Sequence, residues 1–242
     1  MTERQSLFNS LKPDARAHNL LVGENVSIDE SAQIGANVVL HDNVEIGHGC
    51  VIKHNTVIGQ APTLAPGSNA VQQSSKTTTI GAGSTICNGC VILRGATIGS
   101  ATIVGDHGFV REGATIGDNC VIGRGSSVSV AARVGNRVRV QGPTAIGPRM
   151  IVEDDVFISI NLAPITDRTS GRDPTKSNGF ATLRRGCRIG ANVSLMPGIE
   201  IGVEAVVGAG AVVFESVPAR AKVVGIPARV IGSVSADELL DD

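Results

Sequence analysis

Every sixth residue of this chain is a branched aliphatic over most of its length, and few folds accept that period. From Val22 the series runs Ile28, Ile34, Leu40, Ile46, Ile52 and Ile58. It restarts at Ile80 and runs unbroken to Ile158, then restarts at Leu183 and runs to Val213. Twenty-seven positions fall in register in the three blocks. A period of six fits neither a helix nor a long strand. It fits a short strand followed by a turn, repeated, with the key aliphatic pointing inward. Glycine often follows that residue, as at Gly35, Gly81, Gly99 and Gly117, and is expected to relieve the turn. Two positions before it stands a small or slim side chain, such as Ala32, Cys50, Ser84 or Ala96. Three units close a triangular coil, and coils stack at roughly 4.8 Å, so about nine coils make a prism roughly 40 Å tall.

Composition agrees. Hydrophobic residues are 42% of the 242, yet aromatics are only 2%, with no Trp and no Tyr. Such a core is narrow and aliphatic. The net charge of −1 gives no general attraction to nucleic acid or an anionic membrane. No run approaches the length of a membrane span. Met1 to Ser10 lacks an apolar leader core, which points to the cytoplasm and reduced cysteines. Cys87-Asn88-Gly89-Cys90 has the look of a metal or redox pair. However, Cys50, Cys90, Cys120 and Cys187 all fall on the slim inward position, where a thiol packs as a modest hydrophobe. No metal is expected.

The organisation read from the repeat is an all-β prism over residues 20–216, flanked by extensions at 1–19 and 217–242. Met1 to Asn19 suits a short amphipathic helix. The stretch from Val217 is expected to leave the prism and to end in the acidic run Asp237 to Asp242. Two insertions, 60–79 and 159–182, interrupt the repeat. Long loops in a compact repeat are commonly functional. The second carries Asn161, Asp167, Arg168, Arg172, Asp173 and Lys176.

Counting six residues per strand, with each insertion replacing one corner, stacks Asn55, Gly89, His107, Gly125, Pro143 and Asn161 at one edge. His54, Asn88, Asp106 and Arg124 lie one residue earlier. The same count roots the second insertion on the His107 edge. It gathers Arg94, Arg111, Glu112, Arg149, Arg184 and Arg185 at the next corner, where a column of Arg suits phosphate groups.

The [I/L/V]-G-x4 pattern resembles the hexapeptide-repeat superfamily, and that resemblance implies a left-handed parallel β-helix. The general crossover preference alone gives the opposite hand. Met196-Pro197-Gly198-Ile199, Val207-Gly208-Ala209-Gly210-Ala211 and Val224-Gly225-Ile226-Pro227-Ala228-Arg229 look like the last coils of hexapeptide acyltransferases. The resemblance implies a homotrimer with acetyl-CoA in a groove between subunits, its adenine end near the final coils. Gly208, Ala209, Lys222 and Arg229 are the contacts carried over by position. Val152-Glu153-Asp154-Asp155-Val156-Phe157-Ile158 is similar to nucleotide-sugar N-acetyltransferases. That likeness implies an amino-sugar acceptor held in part by the loop that follows, with Asn161, Asp167 and Arg168, and Asp106 beside His107 is a further candidate contact.

Acyl transfer needs an aligned nucleophile, removal of its proton and a held oxyanion. His107, beside Asp106 and a glycine, is the candidate base. Two other classes share the prism. A zinc hydrolyase needs three converging His, and His41, His48, His54 and His107 lack the spacing of enzymes of that kind. A prism used only for binding or assembly is the second alternative.

Overall fold

The computed structural model describes residues 10–64, 77–169, 172–173 and 179–240. From Leu20 to Val224 the chain is a triangular, left-handed parallel β-helix. Strands of two to four residues fall on three faces in rotation. Face I begins with Leu20–Val22 and ends with Val212–Val213. Face II begins with Ser27–Ile28 and ends with Glu200–Ile201, and face III runs from Gln33–Ile34 to Ala221–Val224. Each strand pairs in parallel with those one coil away, so Ile86 sits between Ile52 and Val104.

The sixfold aliphatics form the core. Leu40, Ile58, Ile86, Ile92, Val104, Val110 and Ile122 are fully buried. The slim position is buried too. The Sγ–H of Cys50 donates to the Gly81 carbonyl at 3.1 Å, Cys90 to Gly105 at 3.2 Å and Cys120 to Gly135 at 3.0 Å. Burial pushes the Cys90 thiol up to about 11 and the Cys187 thiol up to about 12. These are packed, protonated thiols.

The glycines act differently from expectation. Apart from Gly59, with φ 84°, those after the key aliphatic do not carry the left-handed turn. A Cβ on Gly81 would stand 2.5 Å from the Gly99 carbonyl carbon, so what fixes glycine there is the close approach of the next coil. The left-handed residue comes two positions later. It is Asn37, Asn43, Asn55, His107, Asn119, Asn161 or Asn192 in seven of the turns, with φ between 55° and 60°. Asn tolerates that region through local hydrogen bonding, and here it also forms ladders, as from Asn161 Nδ2 to Asn192 Oδ1 at 3.0 Å.

Four sequence expectations change. Lys12–Asp14 is not helical. It is a strand antiparallel to Leu20–Val22, and residues 1–9 lie outside the described set. The helix has ten turns rather than about nine, because Val217 bridges Ile201 and Ala221–Val224 pairs with Val206–Val207. That last turn departs from the spacing of six, and the count stopped at Val213. Arg229–Ser233 then turns back antiparallel on Ala221–Val224 and closes the end. Finally, the second insertion starts later than residue 159. Leu162 is buried and Ala163–Pro164 pairs with Ser194–Leu195, so a further strand precedes the loop. Of the first insertion, residues 65–76 lie outside the described set.

Candidate functional site

That extra strand moves the second insertion to the corner between faces I and II, where the first also lies, and it shifts every later residue by one corner. His107 lies on the corner between faces III and I. The column read from the sequence is present there. The amide of His107 donates to the Asn88 carbonyl at 2.8 Å, that of Gly125 to Asp106 and that of Asn161 to Pro143. Gly208 and Ala209 lie on the same corner, five coils nearer the C-terminal end, or roughly 24 Å away.

Around His107 the corner opens into a groove of about 590 Å³, lined by Asn88, Asp106, His107, Arg124, Gly125 and Pro143. His107 has φ 57°, which swings its side chain away from the face. Its imidazole rests over Gly89, where an added Cβ would stand 2.6 Å from Nδ1 and 2.9 Å from Cε1. Gly89 itself has φ 65°, so this glycine is required twice. Asp106 does not orient the ring. Its Oδ1 accepts from the Asn88 side chain and the Asn88 amide, each at 2.9 Å. Those bonds hold its carboxyl below the usual carboxylate range. Asp42, Asp118 and Asp154 accept amides from the preceding coil in the same way. In this chain Asp106 is a rung of the stack at the edge of the groove.

From Gly125 to Gly210 the His107 corner carries no charge. Its residues are Gly142, Pro143, Ile160, Asn161, Ala191, Asn192 and Ala209, with Gln141 and Ser159 at the margin. This uncharged lane ends at the last turn. There Arg229 lines a groove of about 340 Å³ with Glu215, Ser216 and Pro218, and Lys222 Nζ pairs with Glu238 at 2.6 Å.

The Arg column differs from the one expected. Arg94, Arg111 and Arg149 share the corner between faces I and II, whereas Arg184 and Arg185 lie on the corner between II and III. Most are engaged. Arg111 pairs with Glu112 at 2.7 Å, and Arg184 bridges Glu153 at 2.7 Å and Glu200 at 2.5 Å. Arg185 faces Asp155 at 3.6 Å, and Arg149 lies 5.4 Å over the Phe180 ring. Asp167 and Arg168 also lie away from His107 within one chain. The Asp167 carboxylate accepts from the Thr169 amide at 2.6 Å, and Arg168 Nη2 donates to the Pro197 carbonyl at 3.3 Å. Lys176 lies outside the described residues. His41, His48 and His54 occupy three different corners. No helix among the described residues is long and apolar enough to cross a membrane.

Comparison with known proteins follows the repeat. A family model described as bacterial transferase hexapeptide (six repeats) matches residues 19–60. Another, the hexapeptide repeat of succinyl-transferase, matches residues 113–147 and 185–215. Serine acetyltransferase of Salmonella typhimurium is 36% identical over 93 residues, which is 38% of this chain and 32% of that protein. The 2,3,4,5-tetrahydropyridine-2,6-dicarboxylate N-acetyltransferase of Clostridium perfringens is 48% identical over 59 residues, 22% of this chain and 25% of that protein. The chain thus spans about a third of the length of the curated serine acetyltransferases it matches. The UDP-N-acetylglucosamine acyltransferases of Arabidopsis and Francisella novicida share the fold, with TM-scores of 0.52 and 0.51. The matches cover 92% and 93% of this chain and 74% and 71% of theirs, at 14% and 17% identity. The chain therefore carries the hexapeptide repeat of bacterial transferases over residues 19–60, 113–147 and 185–215, wound into the same fold as the UDP-N-acetylglucosamine acyltransferases.

Proposed function

We propose that this protein transfers an acyl group, acetyl first among them, from coenzyme A to an amino or hydroxyl group of a small acceptor. One observation carries the reading: an open groove at His107 continues into a five-coil uncharged lane that ends beside Lys222 and Arg229. Coenzyme A has the matching polarity, a neutral pantetheine arm joined to an anionic nucleotide. Gly208 and Ala209 lie on the lane, where small residues leave room for the arm. Lys222 and Arg229 serve the phosphates, Lys222 after release from Glu238.

In this reading His107 is the base. The acceptor nitrogen or oxygen attacks the thioester carbonyl while the imidazole takes its proton. The C–S bond then breaks, and the proton passes from His107 to the departing thiolate. A nucleotide-linked amino sugar heads the acceptor panel, on the likeness of the Val152–Ile158 segment to enzymes of that class. The curated relatives are named for other acceptors, serine and a tetrahydropyridine dicarboxylate. The deciding experiment follows thiol release from acetyl-CoA across all three acceptor types. No release with any of them, together with no binding of coenzyme A, would reject acyl transfer. The donor puts the reaction in the cytoplasm.

The working unit in this proposal is a homotrimer joined through face I. The outward row of that face is Leu21, Val39, Val57, Val91, Phe109, Ser127, Ala145, Ala163, Ser194 and Val212, with no charge among them. Light scattering at micromolar concentration should give three times the chain mass, and a monomer there would remove this interface. The trimer also gives the second insertion its role. Asp167 and Arg168 stand one corner away from their own His107, so they reach the acceptor bound to a neighbour, alongside Asn161. Replacing both by Ala should raise the acceptor KM about tenfold and leave acetyl-CoA binding unchanged. Weakened donor binding with normal acceptor kinetics would reverse that assignment.

A further inference from the structure

Arg124 is the charged side chain of the His107 groove that no described residue satisfies. Among the described residues its guanidinium makes no hydrogen bond and no ion pair, and it is exposed to the groove. Asp106, the carboxylate beside it in the lining, is already held by Asn88. Arg137, Arg184 and Arg220, also at corners, are paired: Arg137 with Asp155 at 2.7 Å, Arg184 with two glutamates and Arg220 with Glu204 at 3.2 Å.

Its position is fixed by the stack. A Cβ on Gly105 would stand 2.6 Å from the Arg124 amide nitrogen and 3.0 Å from its Cα. Arg124 therefore lies directly over the turn that carries His107, one coil towards the C-terminal end. The His107 ring leans the other way, over Gly89. Glycines let the neighbouring coils close tightly on the Arg124 backbone and so fix where its side chain starts. A Cβ on Gly142 would strike the Arg124 carbonyl oxygen at 2.0 Å, and Gly125 beside it has φ 65°.

We infer that Arg124 binds an anionic oxygen group of the acceptor, a carboxylate or a phosphate, and so sets the acceptor class. The inference rests on the acyl-transfer reading. The acceptor is a small amine or alcohol carrying that negative charge about one coil, roughly 5 Å, from the attacking atom. A guanidinium matches either group by charge and fork geometry. The phosphates of coenzyme A are not its ligand. In the proposed pose they lie near the end of the lane, and the arm that passes Arg124 is neutral.

The test uses inorganic phosphate and acetate on the full-length protein, read at the His107 imidazole C–H resonance by NMR and assigned by its loss in His107→Asn. Phosphate, acetate or both should shift this resonance saturably in the wild type, beyond any effect of chloride at equal ionic strength. Arg124→Gln should weaken the apparent affinity at least tenfold, and Arg124→Lys, which keeps charge but loses the fork, should weaken it less. The same titration curve in Arg124→Gln as in the wild type would overturn the inference, as would a wild type that answers neither anion beyond chloride. Coenzyme A binding measured on the same samples reports on acyl transfer separately, so either reading can fail alone. Where an acceptor turns over, Arg124→Gln should raise KM for the anionic acceptor at least tenfold and leave its neutral ester or amide unaffected. An equal loss for both would also count against the anion contact.

Discussion

Ile116→Asp should yield no folded protein. Ile116 is 2% exposed and stacks between Ile98 below and Val134 above. A carboxylate there has no partner and no water, a burial that costs well over ~4 kcal/mol. Domains of ordinary stability hold only about 5–15 kcal/mol in reserve. The position is also central. A stack of coils holds together through neighbour contacts, so a defect here separates the two halves. Thr115→Asp is the control, because Thr115 is adjacent in sequence but points outward. That change should alter stability by less than ~0.5 kcal/mol. Soluble yield and a circular-dichroism melt decide the matter, and an Ile116→Asp protein that melts like the wild type would refute the inward register.

His107→Ala should lower kcat by roughly 10²–10⁴, the span of a general base, while coenzyme A affinity and assembly stay unchanged. His107→Asn separates the possible roles. It keeps a polar group of similar reach without basicity, so it should be nearly as impaired as Ala if the ring moves a proton. A second variant attacks the geometry without touching the imidazole. Gly89→Ala puts a methyl group 2.6 Å from Nδ1 and on a backbone at φ 65°. The ring must move, and kcat should fall by about tenfold or more even where the protein folds, since ångström displacements of a catalytic group are costly. Normal turnover in all three variants would show that the acceptor attacks unaided and that the corner supplies alignment alone.

The fold was legible because its core is one-dimensional. A single residue type recurs at a single spacing, and no long-range guess is needed to place Ile86 between Ile52 and Val104. The site was legible only where the spacing held. His107, Asn88, Asp106 and Arg124 lie within one unbroken block, Ile80 to Ile158, and the structure groups them as the count does. The count failed across the second insertion. Pro164 stands where an aliphatic is expected, so the strand Ala163–Pro164 went unnoticed and Arg184 and Arg185 were assigned to the wrong corner. The signal in the sequence is Leu162, an aliphatic two residues before Pro164 on the inward position, preceded by Asn161 as Asn37, Asn43 and Asn55 precede earlier strands. The end of the prism was hidden for a similar reason. Val217 keeps the inward role of Val213 but follows it after four residues instead of six, and Val223 continues from that slipped register. Asp106 shows a different limit. A carboxylate next to a candidate base reads as its partner, and only coordinates reveal that its hydrogen bonds run along the stack.

The reversed strands at the two ends have a consequence for how such a molecule remains a discrete particle. A parallel coil ends in a row of free amides and carbonyls, which is the surface on which the next coil of another copy would grow, and growth of that kind has no natural stop. Here Lys12–Asp14 lies antiparallel on the first strand of face I, and Arg229–Ser233 lies antiparallel on the last of face III. Antiparallel strands offer donors and acceptors in alternating close and wide pairs, whereas parallel strands space them evenly. On both of these edges an incoming turn of the same screw meets the wrong rhythm. At each end of the described coil one face is thus closed to a further parallel turn by a strand of the opposite sense.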